Sequence, residues 1–210
     1  MSITRRASVI APVAGLLLGF LDFVWIKFVP APFGGLGNSI AVWAVAAYLL
    51  AFFLRGPAGR AIAAAVVMLL IAVPSYYIAA ALIQHDDWSN AWDVNAGQWM
   101  VLGAVAGIAF GFGGVVARRP GRFRRPALGL AAAVLLAEAI LQVARIGQPS
   151  YDTADLVQYV LVLVVLVVLA VLSPLAVART WPDRALALAY AVPMSGVGYL
   201  LMTATAFGSK

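Results

Sequence analysis

Long apolar runs broken by short polar segments dominate this chain. Seven runs can be marked, at about residues 8–29, 38–54, 61–84, 98–117, 127–146, 156–178 and 185–206. Apolar stretches of about 18 or more residues read as transmembrane helices. In lipid only a helix or a closed barrel satisfies its own backbone, and the alternating short strands of a barrel are absent. The expected fold is therefore all-α, a polytopic integral membrane bundle of seven transmembrane helices. These runs consume most of the 210 residues, so a single transmembrane domain over 1–210 is expected, with no separate soluble domain.

Small residues add a packing expectation. Ala7, Ala11, Gly15 and Gly19 recur every four positions on the first run, and Gly103, Gly107 and Gly111 do so on the fourth. Such stripes let helix backbones approach closely, which predicts central places for both helices. Pro74 and Pro193 read either as ordinary kinks or as bends that free backbone carbonyls to line a site.

Composition agrees with this pattern: 64% of residues are hydrophobic and 10% charged, with a mean hydropathy of +1.00. The basic residues give orientation. Eleven of the 14 lysines and arginines, Arg5, Arg6, Arg55, Arg60, Arg118, Arg119, Arg122, Arg124, Arg125, Arg179 and Arg184, fall on one side of the runs. Lys27, Arg145 and Lys210 fall elsewhere, and Asp86, Asp87, Asp93, Asp152 and Asp155 gather on the opposite side. The positive-inside rule then predicts a cytoplasmic N-terminus and an external C-terminus. The net charge of +6 reads as a topology signal rather than a nucleic-acid interface. Thr4-Arg5-Arg6 before an apolar run loosely resembles a twin-arginine export signal. The run is too long and lacks a small-x-small cleavage site, so an uncleaved first span is expected. There is no cysteine, hence neither disulfide nor thiolate chemistry.

Two carboxylates, Asp22 and Glu138, interrupt otherwise apolar runs. A charge at mid-membrane costs roughly 2.5–3.5 kcal/mol on insertion scales, so such groups are the first candidates for function. Helical phase puts Asp22 on the face of the small-residue stripe. Glu138, Gln142 and Arg145 share one face of the fifth run, a polar stripe climbing outward. Trp25, Trp43, Tyr76, Tyr77 and Tyr199 concentrate in the outer halves of their runs, beside Asn38, Ser39, Gln98 and Trp99. This predicts an outward-opening, aromatic-lined pocket with Asp22 and Glu138 as catalytic acids. Trp25, Trp43, Tyr76, Tyr77, Gln142, Arg145 and Tyr199 would bind substrate. A plainer reading makes Gln142 and Arg145 a structural clasp on Glu138.

Other patterns carry less. His85-Asp86-Asp87 with Asp93 offers metal-type ligands, but carboxylates on an aqueous loop are ordinarily just solvated, and no metal is expected. Gly111-Phe112-Gly113-Gly114 ends an apolar helix, so it is no dinucleotide fingerprint, and no cofactor is expected. Asp152 and Asp155 read as cap and first-turn charges of the sixth run. The arginines from Arg118 to Arg125 read as an anchor able to meet anionic lipid.

Asn38-Ser39 with Ala41-Val42-Trp43, then Tyr76-Tyr77, Trp99, Gly107, Gly111 and Gly114, and Ala137-Glu138, resemble landmarks of a bacterial family of multi-pass membrane proteins known only as a domain of unknown function. The resemblance implies a multi-pass protein of the bacterial inner membrane and brings no activity with it. In size and span count alone, the chain is similar to the small seven-span membrane terpene cyclases and to the substrate-binding subunits of vitamin transporters.

Three readings of function follow. In the first, Asp22 or Glu138 protonates a lipid-soluble, isoprenoid-like substrate in a metal-independent cyclisation or isomerisation, and Trp25, Trp43, Tyr76 and Tyr77 stabilise the carbocation. In the second, the same residues bind or transport a small molecule, with Arg145 holding an anionic group. In the third, the chain is an accessory membrane protein and its polar stripe is interhelical glue.

Overall fold

The computed structural model describes residues 3–30, 33–146 and 153–204. These form eight α-helices: α1 (Ile3–Phe28), α2 (Ile40–Phe53), α3 (Ala58–Gln84), α4 (Val94–Ala117), α5 (Arg124–Leu128), α6 (Leu130–Ile146), α7 (Thr153–Val177) and α8 (Trp181–Ala204). Two 3-10 turns, Phe33–Asn38 and Trp88–Ala91, precede α2 and α4, and the described residues contain no strand. Asp152 lies outside the described residues, as do the side chains of Arg5, Arg6, Ala7, Asn38 and Asp155.

Among the described residues five helical segments are long and apolar enough to cross a membrane: Ser8–Phe28, Ala58–Gln84, Trp88–Ala117, Leu156–Val177 and Trp181–Ala204. The other two expected spans are shorter as helices. With 14 residues, α2 reaches about 21 Å, and α6 with 17 reaches about 26 Å, against about 30 Å of hydrocarbon. The expected run 38–54 opens with the 3-10 turn, and the run 127–146 is divided between α5 and α6 at Gly129. Gly129 is a packing requirement, because a Cβ there would meet the carbonyl oxygen of Ala187 on α8.

The helices form two groups that meet at α2 and also where α4 packs on α5, which in turn packs on α8. One group is α1 against α3 and α3 against α4; the other is α6 with α7 and α8; and α2 touches α3, α4 and α6. The small-residue stripes are the closest seams. A Cβ at Gly15 or Gly19 would run into the carbonyl oxygens of Met68 and Ala72, and one at Gly107 would lie 2.7 Å from the Val66 Cα. Ser75 reinforces the α1–α3 seam by donating to the Leu16 carbonyl at 2.7 Å.

The expectation that α1 is central is corrected. It lies at the edge, with α3 as its main partner and Leu16, Leu17, Phe20 and Leu21 exposed on the face away from that seam. A glycine stripe reports one close neighbour and does not count neighbours. Pro74 and Pro193 both sit inside continuous helices.

The two ends of the bundle differ in charge. At one end Arg118 bonds the carbonyls of Leu54 and Gly56, Arg124 pairs with Asp183 at 2.8 Å, and Arg184 donates to the Ala178 carbonyl at 3.1 Å. At the other, Lys27 donates to Gln84 at 3.1 Å and the acids of the α3–α4 connection gather. Those acids are engaged locally: Asp86 accepts from the Gln84 amide, Asp87 from the Ser89 N–H, and Asp93 caps α4 through the Ala96 N–H. Among the described residues no three metal-type side chains come together.

Candidate functional site

The N-terminus of α2 is buried, and a helix start leaves N–H groups without intrahelical partners. Ser39 supplies the usual cap, its Oγ accepting from the Val42 N–H at 3.2 Å. Glu138 on α6 completes it: its Oε2 accepts from the Ser39 hydroxyl at 2.9 Å and from the Ala41 N–H at 2.7 Å. Ser39 and Glu138 are 2% and 6% exposed, so water cannot substitute for either bond. The carboxylate also faces the positive end of the α2 dipole. At the opposite end, the Arg118 guanidinium covers the carbonyls of Leu54 and Gly56. The short helix is thus matched at both ends by charges from neighbouring helices.

This differs from the expected clasp. Glu138 makes no ion pair with Arg145; among the described residues the ion pairs within 4.0 Å are those of Arg124 and Arg125 with Asp183. Gln142 is buried beside Glu138 on α6, and its Oε1 has no hydrogen-bond partner among the described residues. Helical phase identifies neighbours along α6, whereas the donors to Glu138 come from another helix.

Asp22 binds the same short helix from the other side. Its Oδ2 accepts from the Trp43 indole N–H at 3.1 Å, one turn beyond the cap. Asp22 also lines an open cavity of about 610 Å³ whose walls come from α1, the Phe33–Asn38 turn, α2, α3 and α7, including Leu18, Leu36, Val42, Leu50 and Leu169. Asp22 is the one charged residue in that lining. Trp25, one turn along α1, also lines the cavity, and its indole N–H is pinned to the Phe33 carbonyl at 2.8 Å.

The model of a family of unknown function, DUF6518, matches residues 2–207. The chain belongs to this family. The match runs from the start of α1 to the end of α8 and takes in both carboxylates, so the expected membership of an uncharacterised family holds. No curated protein and no solved structure matches the chain.

In this DUF6518 chain the nine expected site residues do not share one pocket. Asp22 and Trp25 line the cavity, Trp43 holds Asp22, and Glu138 holds the start of α2. Tyr76 packs edge-on against Phe23 at 5.3 Å and Tyr77 at 5.5 Å, and the Tyr77 hydroxyl accepts from the Asn95 amide at 2.8 Å. Tyr76, Tyr77, Gln142, Arg145 and Tyr199 are not part of the cavity lining. Sequence reading missed Arg118 as the second cap of α2, because an arginine next to others reads first as a topology anchor. It also missed Tyr48, fully buried with a hydroxyl that has no partner among the described residues; a lone tyrosine inside an alanine-rich run was the available signal.

Proposed function

We propose that this DUF6518 protein crosses the bacterial inner membrane seven times as a single domain, with a cytoplasmic N-terminus and an external C-terminus, and binds a lipid-soluble molecule beside Asp22. Seven crossings are supported by chain continuity: α5 and α6 are joined through one helical residue, Gly129, and the 3-10 turn Phe33–Asn38 leads into α2 through the extended cap residue Ser39. Orientation is supported by the arginine-rich end. In intact cells, a cysteine replacing the exposed Ser89 is expected to react with a membrane-impermeant maleimide, while one replacing Arg122 is protected. Labelling of the second position alone would reverse the topology.

The observation that carries the binding reading is the cavity itself, an apolar hollow of about 610 Å³ with one carboxylate in its wall. Its size falls within the usual range of small-molecule sites, roughly 300–1,000 Å³, and mostly apolar walls with few placed polar groups are their common composition. Glu138 takes a structural part in this reading, since its near oxygen is already committed to the start of α2.

One observation favours an acid-catalysed reaction as a second reading: Asp22 and Trp25 line the same cavity, which would bring a proton donor and an aromatic residue to one ligand. Asp22→Asn is expected to abolish turnover of an isoprenoid alkene or epoxide by at least about 100-fold while the substrate still binds. Retained turnover would remove Asp22 from the chemistry, and unchanged binding without turnover by the wild type leaves the binding reading alone.

A further inference from the structure

Asp22 differs from Glu138, the other carboxylate within an apolar run, in how little answers it: among the described residues it has neither a cation nor a backbone N–H. The other carboxylates inside or beside the bundle are engaged: Glu138 by the first turn of α2, and Asp183 by Arg124 at 2.8 Å and Arg125 at 3.6 Å. Asp22 receives one hydrogen bond, from Trp43, and among the described residues it makes no ion pair. Lys27, the nearest base on its own helix, is turned to Gln84. The other walls of the cavity contribute no base: α2 presents Val42, Ala46 and Leu50, α3 presents Met68 and α7 presents Leu169. Intramembrane carboxylates ordinarily pair with a cation or a set of donors, because an unpaired charge in an apolar setting is costly.

The cavity is also polarised along its length. On α1 its lining runs from Asp22 and Trp25 at one end through Leu21, Leu18 and Leu17 to Ala14. Ala14 and Asp22 are eight helical steps apart, about 12 Å. Antiparallel to it, α2 supplies Val42 near the acid and Leu50 at the far end. The result is an apolar trough with a single acceptor at one end.

We propose that the missing cation is the ligand's own: the cavity takes a single-chain amphiphile with an ammonium head, the head on Asp22 and the hydrocarbon tail along α1 and α2 toward Ala14 and Leu50. This rests on the binding reading above and names its ligand class. A charge-assisted N–H to carboxylate bond supplies the recognition, and burial of the tail supplies most of the affinity.

The full-length protein in phosphatidylcholine nanodiscs separates the possibilities, using two photoactivatable probes that differ only in the head, a dodecyl primary amine and the matching dodecyl alcohol. The amine is expected to label α1 and α2, to be competed by unlabelled dodecylamine, and to lose affinity about tenfold or more in Asp22→Asn. The alcohol is expected to label more weakly and to be indifferent to that change. Leu17→Trp, which narrows the exposed wall while leaving Asp22 intact, is expected to reduce labelling by both and serves if the Asp22 variant does not fold. Equal labelling by amine and alcohol in the wild type overturns the ammonium assignment while leaving cavity binding standing. Absence of cavity labelling by either probe overturns both.

Discussion

Glu138→Ala is expected to destabilise the protein by roughly 2–5 kcal/mol, because it strips partners from two buried donors at once. The Ala41 N–H and the Ser39 hydroxyl both end on Oε2, at 2.7 and 2.9 Å, and neither can turn to water where Ser39 is 2% exposed. Glu138→Gln makes a sharp comparison. Both bonds converge on one oxygen, so an amide oxygen in the same position accepts both. What is lost is the charge at the positive end of α2, offset by no longer holding a charge in an apolar place. The expected order is therefore wild type close to Gln, with Ala well below both. Ser39→Ala removes the hydroxyl cap and is expected to cost about 1 kcal/mol. Unfolding of the purified protein in mixed micelles reads this series. A Glu138→Ala protein as stable as the wild type would remove the capping role and reopen Glu138 as a functional acid.

Gly19→Ala is expected to have the second large effect, and the same substitution at Gly196 the opposite sign. At Gly19 a Cβ would collide with the carbonyl oxygen of Ala72, and would also lie 2.9 Å from the Tyr76 backbone nitrogen. Neither atom belongs to a side chain that can rotate away, so α1 and α3 must separate along their seam, and overpacking of this kind costs typically 1–3 kcal/mol. Gly196 is also inside a helix, but a Cβ there has nothing within 4 Å. There the change gains helix propensity, about 0.5–1 kcal/mol. Paired unfolding measurements on the two variants test the seam directly, and equal effects would mean that α1 and α3 are not in backbone contact.

The opposed signs illustrate where sequence reading stops. The stripes on α1 and α4 announce close packing from spacing alone, since small residues every four positions align on one helical face. They do not name the partner. Both turn out to pack on α3, which α1 meets in parallel and α4 in antiparallel fashion, and this sandwiching puts α1 at the edge. Similarly, Ser39 was visible as a polar residue opening an apolar run, and Glu138 as a carboxylate interrupting another, 99 positions away. Phase along α6 tied Glu138 to Gln142 and Arg145, because i, i+4 and i+7 relations are all that one helix can reveal.

Run length and the rarity of charges were enough to establish a helical membrane protein, because backbone groups in lipid leave a chain few alternatives. They were enough, too, to single out Asp22 and Glu138. Tertiary packing divided the pair. Glu138 meets the start of a short buried helix whose N–H groups need an acceptor, and Asp22 meets one indole and an open apolar cavity. Two carboxylates with the same insertion cost thus acquire different chemistry, since that cost belongs to the residue while the groups that offset it come from other helices.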